Sequence, residues 1–368
     1  MSWLIAAVAL LAACEEGSFD PAALGRSRLR PAPPNLAALA ATCSPTTSFR
    51  GDYETGTFAQ WDGGVDARSY PGAARQFSHA LVVRSPVRQG TYAAAFNVRS
   101  SVTYPDSSER AEANKCIGDT QGTDAYYAFA TYFPGNYSSP SWATVYQWEA
   151  GNLAGIGADC VQNNISATPN TSSPGTFMLQ MRSRGGLIVD SISCPPDHYP
   201  PILSRLTIGQ WNDFVVHFKW STDTTGRIDI WWRLEGGTFQ RILNPGPGPD
   251  HLDSLLNHVG DTTFHVGPNL LRKWDGTVAI VAITEGVYRQ ANTTWATVYH
   301  DSYVRGTSMA EDTLAAFPAR VPPIYLCATD VIVGGGPNTA YSGRGVIVDG
   351  GNGAGCQVQL VLGNLTIG

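Results

Sequence analysis

From about residue 49 to residue 308, apolar and polar positions alternate in short runs cut by glycine and proline. Neighbouring side chains of a strand point to opposite faces, so this alternation predicts strands, each with one face toward a core. The segments that follow it best are Ala125–Phe133, Trp142–Glu149, Thr176–Arg182, Trp211–Trp220, Ile228–Leu234, Val278–Tyr288 and Thr297–Val304. Asp250–His258 reads as a short helix. Many short strands with few helices predict an all-β fold, an antiparallel β-sandwich or jelly roll.

The same rule separates core positions from a candidate groove. In Trp211–Trp220, Phe214, Val216, Phe218 and Trp220 share one face, while Asp213, Val215, His217 and Lys219 share the other. Gln147 and Glu149 point together, away from Tyr146 and Trp148. Thr284, Gly286, Tyr288 and Gln290 stand opposite Ile283 and Val287. Arg110, Glu112 and Asn114 alternate with alanines, and Gln180 with Arg182 repeats the arrangement. A wet outer sheet face explains part of this pattern. It does not explain the choice of amides, arginines and tyrosines, which donate hydrogen bonds to hydroxyls and carboxylates and offer rings to sugar faces. That choice suits a polysaccharide.

Composition narrows the classes. Of 368 residues only 15% are charged, against about 25% in ordinary globular chains. The 39 glycines, 24 prolines and 10% aromatics fit many strands and turns better than a helical bundle. A net charge of −6 argues against nucleic acid as partner. Beyond the N-terminus there is no apolar run of the roughly 20 residues a membrane helix needs.

The flanks carry other signals. Residues 1–14 form a short apolar segment ending Leu11-Ala12-Ala13-Cys14, although no lysine or arginine precedes it. It reads as an export signal with a lipobox-like end, resembling that of bacterial lipoproteins, which makes Cys14 the candidate lipidation site. A plain secretory signal is the alternative. Residues 15–47, rich in alanine, proline and arginine, read as a flexible tether before a folded unit at 48–310. Residues 311–368, with their glycine clusters, read as a C-terminal extension of extra strands, an appendage or a tail. The remaining cysteines, Cys43, Cys116, Cys160, Cys194, Cys327 and Cys356, are even in number, which suggests disulfides in an exported chain. Proximity favours Cys160–Cys194 and Cys327–Cys356. No CxxC pair suggests a metal site, no cofactor is expected, and the protein is expected to be a monomer.

Across roughly residues 48–310 the chain resembles polysaccharide lyases of the heparin lyase I and alginate lyase type, which share a concanavalin-like jelly roll. Three motifs in the family's order carry the resemblance. Arg110-Ala111-Glu112 is similar to an Arg-x-Glu strand, Gln147-Trp148-Glu149 to Gln-x-His, and Glu285-Gly286-Val287-Tyr288-Arg289-Gln290 to Lys-x-Gly-x-Tyr-x-Gln. The Gly51–Gly56 and Gly209–Phe214 segments and the closing strand Val298–Ser308 support it. The resemblance implies β-elimination next to a uronic acid, with Tyr288 as acid/base and Gln147 and Arg110 holding the carboxylate. His217, Lys219, Gln290, Glu149, Arg182 and Asn114 are substrate-binding candidates by strand geometry.

Two positions depart from the family pattern: Glu149 stands in place of histidine, and Thr284 in place of lysine. Both changes remove positive charge from a groove meant for an anion. Either His79 or His217 takes over, or the substrate is less charged, or turnover is lost and a carbohydrate-binding protein remains. A glycoside hydrolase is the third class, but Asp229 has no second carboxylate at convincing spacing. The fold admits a calcium ion, for which no motif is present. The remaining histidines, His251, His258, His265 and His300, read as structural.

Overall fold

The computed structural model describes residues 46, 48–68, 78–100, 108–153, 163–188, 200–244, 260 and 262–318, with strand backbone at 347–348 and 358–359. The export segment with Cys14, nearly all of the tether, the Asp250–His258 helix, both favoured disulfides and most of 319–368 lie outside these residues.

In chain order the strands are β1 (Phe49–Gly51), β2 (Asp62–Arg68), β3 (His79–Val83), β4 (Ala93–Val98), β5 (Ser108–Asp119), β6 (Asp124–Tyr132), β7 (Ala143–Ala150), β8 (Asn163–Pro169), β9 (Phe177–Ser183) and β10 (Gly186–Ile188). They continue with β11 (Pro201–Leu203), β12 (Trp211–Lys219), β13 (Arg227–Leu234), β14 (Gln240–Ile242), β15 (His265–Val266), β16 (Leu271–Lys273), β17 (Val281–Gln290) and β18 (Ala296–Gly306). Helix α1 (Met309–Ala316) follows, then the short pair β19 (Ile347–Val348) and β20 (Val358–Gln359).

A front sheet runs β11-β9-β8-β7-β17-β5-β2. A back sheet runs β14-β13-β12-β6-β18-β4-β3, with β1 added to β18 and β15 to β13. The pairings that build both sheets are antiparallel. The fold is therefore the antiparallel jelly roll that the alternation predicts. β17 lies at the centre of the front sheet between β5 and β7, and β18 beside β6 in the back sheet.

The inward faces meet in one apolar layer. Phe214, Val216 and Phe218 of β12 pack with Ile165, Leu179, Met181, Ile283 and Val287 of the front sheet. Rings bridge the gap: Phe129 lies 3.9 Å from Tyr146, and Trp148 lies 4.9 Å from Phe218, between centroids. Trp148 and Phe218 are fully buried, each stabilising the sandwich by about 1.5–3 kcal/mol. A second apolar layer forms on the outer side of the back sheet, where Ala316 and Phe317 at the end of α1 cover Ala128, Ala130, Trp211 and Val215. The Ser308 hydroxyl caps α1 by accepting the Glu311 N–H at 3.3 Å, the first half of a capping box.

The expected strand at Val278 begins three residues later, at Val281. The Asn152 amide donates to the Val278 carbonyl at 2.9 Å and accepts from the Ile280 N–H at 2.6 Å. A side chain thus takes the backbone groups that a ladder would use.

β18 carries a buried acid, Asp301, whose Oδ2 accepts the N–H groups of Arg88 and Gln89 at 2.7 and 3.1 Å. Burial pushes its carboxyl up to about 7. The folded state therefore holds a proton that the unfolded chain releases above its ordinary value of 3.8. This contribution to stability is fully present below that value and is lost as the pH rises through about 7. Asp301→Asn keeps the acceptor and removes the titration. Its stability relative to the native protein should rise by about 1.4 kcal/mol per pH unit within that window, read from urea midpoints at pH values inside it. A difference independent of pH would show that Asp301 stays ionised.

Candidate active site

The outward face of the front sheet is polar, and the central strands bring its groups together. Ile283, Glu285, Val287 and Arg289 of β17 are buried, and by the period of two Thr284, Gly286, Tyr288 and Gln290 occupy the opposite face, where Thr284 and Gly286 are also buried and Tyr288 and Gln290 are half-buried. Tyr288 pairs with Arg110 on β5 and with Thr144 on β7. Thr284 pairs with Asn114 on one side and Gln147 on the other. Gln147 pairs in turn with Asn164, and Asn164 with Arg182 on β9.

Contacts link these residues into one cluster. The Gln147 amide donates to Glu112 Oε1 at 2.6 Å, and Glu112 Oε2 lies 3.3 Å from the Arg110 guanidinium. That guanidinium sits 4.2 Å over the centroid of the Tyr288 ring. Glu112 is thus a buried carboxylate that holds both a carboxamide and the cation that covers the phenol ring. The Thr284 hydroxyl donates to Asn114 Oδ1 at 2.6 Å, so a short neutral bridge stands where the family pattern has a lysine. Among the described residues, the Tyr288 hydroxyl has no hydrogen-bond partner. A ground-state phenol left open in this way can meet a ligand.

Tyr288, Gln147, Arg110, Asn114, Gln290, Glu149 and Arg182 all belong to this face. His217 and Lys219 do not, and their assignment to the groove is corrected. Both are on β12 in the back sheet, on its outer side. There His217 stacks on Tyr126 at 4.3 Å and lies between Asp229, 3.1 Å from Nδ1, and Asp124. Burial opposes its charge, but the hydrogen bonds to Asp229 and Asp124 raise its pKa above the ordinary value. His79, on β3 against the edge of Trp295, is also outside the front sheet. Neither histidine replaces the one absent at position 149. Burial would raise the Asp229 pKa, yet bonds from His217, Arg227 and Arg241 hold it below the ordinary carboxylate range.

Trp142 is a member of the site that alternation misses. It is 37% exposed and meets the Tyr288 ring edge-on at 5.0 Å. Counting by twos from Gln147 turns residues 142 and 144 inward. The ladders slip by one residue at Val145, however, so Thr144 faces outward and its hydroxyl bonds Ser166 at 2.9 Å. No periodicity in the sequence marks that slip.

The front sheet of this jelly roll thus carries a polar face on which a half-buried phenol lies beneath a guanidinium, with Trp142 at its edge. A profile of the polysaccharide lyase family matches residues 53–304. The chain belongs to the polysaccharide lyase family. No curated protein matches it in sequence. Among solved structures, it is similar to an endo-β-1,4-glucuronan lyase from the fungus Trichoderma reesei, with 19% identity, a TM-score of 0.51, and 72% of this chain and 97% of that one covered. It also aligns with a marine alginate lyase from Aplysia kurodai, with 9% identity, a TM-score of 0.41, and 72% and 100% covered. At these identities the likeness concerns the fold alone.

Proposed function

We propose that this polysaccharide lyase acts on a uronic acid-containing polymer by β-elimination, on the outward face of the front sheet. The observation that carries the reading is the Gln147–Glu112–Arg110–Tyr288 cluster, drawn from three adjacent strands. Arg110 and Gln147 hold the uronate carboxylate, which stabilises the negative charge that develops when the C5 proton leaves. Tyr288 takes that proton and returns it to the 4-linked oxygen. The C5–H and C4–O bonds break, a C4–C5 double bond forms, and the proton ends on the leaving sugar.

The protein is exported and monomeric in this reading, and it touches a membrane only through a lipid on Cys14. The disulfide at Cys116 supports an oxidising compartment. The purified protein is tested on glucuronan, alginate, heparin and chondroitin by the ultraviolet absorbance of the unsaturated uronate. Growth of that band on one of them supports elimination. Binding without the band favours the carbohydrate-binding reading, which the loss of cations at Glu149 and Thr284 prompts. New reducing ends without the band mean hydrolysis.

Trp142 supplies a sugar platform beside the scissile bond. Trp142→Ala should raise KM by roughly 5–30-fold, the equivalent of about 1–2 kcal/mol of lost apolar contact, while kcat changes little. An unchanged KM on the cleaved polymer would remove Trp142 from the groove.

A further inference from the structure

Behind the cluster, one buried imidazole touches two of the three strands that carry it. His300 belongs to β18 of the back sheet and is fully buried in the interior. Its Nε2 lies 2.9 Å from the carbonyl oxygen of Gly286, and its Nδ1 lies 2.7 Å from the Tyr146 hydroxyl. A carbonyl only accepts, so Nε2 carries the proton and Nδ1 accepts from the phenol. Burial lowers the imidazole to about 3, which keeps this neutral tautomer across ordinary pH. Gly286 stands two residues before Tyr288, and Tyr146 stands immediately before Gln147.

Gly286 is also where the β7–β17 ladder slips. Glu285 pairs with Tyr146 and Tyr288 with Thr144, so Gly286 and Val287 together face Val145 alone. The backbone at Gly286 has φ +149°, and a Cβ there would meet the Ala111 carbonyl oxygen at 2.2 Å. A buried carbonyl with no register partner in β7 needs another donor. His300 provides it from the opposite sheet.

We propose that His300 is a positioning residue for the elimination: by donating to the Gly286 carbonyl and bracing on Tyr146, it fixes the β17 slip and so aims Tyr288 at the sugar held by Gln147 and Arg110. This rests on the reading of Tyr288 as the acid/base. A glutamine at 300 can place its amide N–H where Nε2 is, whereas the shorter asparagine reaches Tyr146 but not Gly286.

The experiment compares His300→Asn with His300→Gln on the polymer that the native protein cleaves. His300→Asn should lose about 100-fold in kcat, the effect of a misplacement near 1 Å, with KM within about threefold. His300→Gln should recover at least about tenfold of that loss. Calorimetric binding of a uronate oligosaccharide should show full stoichiometry for both, so that the loss cannot come from unfolded molecules. A kcat for His300→Asn within about twofold of native, or no rescue by His300→Gln at equal binding stoichiometry, overturns the proposal. If the native protein cleaves no uronate polymer, the reading of Tyr288 fails separately, and a crystal structure of His300→Asn decides the positioning. Displacement of Tyr288 from beneath the Arg110 guanidinium supports it, and an unmoved Tyr288 overturns it.

Discussion

Replacing Tyr288 by phenylalanine is expected to lower the elimination rate by about 10²–10⁴-fold, the contribution of a positioned acid/base. The substitution removes one oxygen and leaves the ring, so the Arg110 guanidinium 4.2 Å above it and the edge of Trp142 at 5.0 Å keep their partner. Unfolding midpoint and oligosaccharide affinity should therefore stay close to native while formation of the unsaturated uronate stops. Equal falls in kcat and kcat/KM would mark an interaction made only in the transition state. Activity within a few-fold of native would remove the phenol from the chemistry and turn attention to another base on the same face.

The largest expected loss of stability belongs to the next residue of the strand. Arg289 is completely buried, donates from Nε to Glu109 at 2.7 Å, and bonds the carbonyls of Ser138, Val98 and Thr294. Ser100 donates to the other Glu109 oxygen at 2.6 Å. Arg289→Met preserves bulk but strands Glu109 in the interior, which should cost about 3–5 kcal/mol. Burial already raises the Glu109 carboxyl, even against the pull of Ser100 and Arg289, so protonation of Glu109 sets the lower end of that range. Adding Glu109→Gln to Arg289→Met should recover part of the loss, as measured by urea unfolding of all four forms. A loss below about 1 kcal/mol for the single variant would mean that the ion pair adds nothing to anchoring β17.

Much of this architecture was legible because the core strands alternate cleanly. Phe214, Val216 and Phe218 point inward, as counting by twos requires, and Thr284, Tyr288 and Gln290 point outward for the same reason. Alternation assigns a face, however, and not a sheet. His217 and Lys219 sit on a polar face, but it is the outer side of the other layer. Nor does it register a one-residue slip, which is why Trp142 and Thr144 escaped notice while Gln147, beyond the slip, did not. Helix α1 has only eight residues and a single capping signal at Ser308, too little to stand out beside the glycine-rich stretch that follows. The role of His300 needed the third dimension, since its partners at Gly286 and Tyr146 are remote in sequence.

The most direct measurement is a crystal structure of the Tyr288→Phe protein with a uronate oligosaccharide bound. The account predicts one sugar carboxylate within hydrogen-bonding reach of both Gln147 and Arg110, with its C5 facing the vacated position of the Tyr288 hydroxyl. An oligosaccharide seated instead on the outer side of the back sheet near His217, or lying on the front sheet with its carboxylates turned away from Gln147 and Arg110, would contradict it.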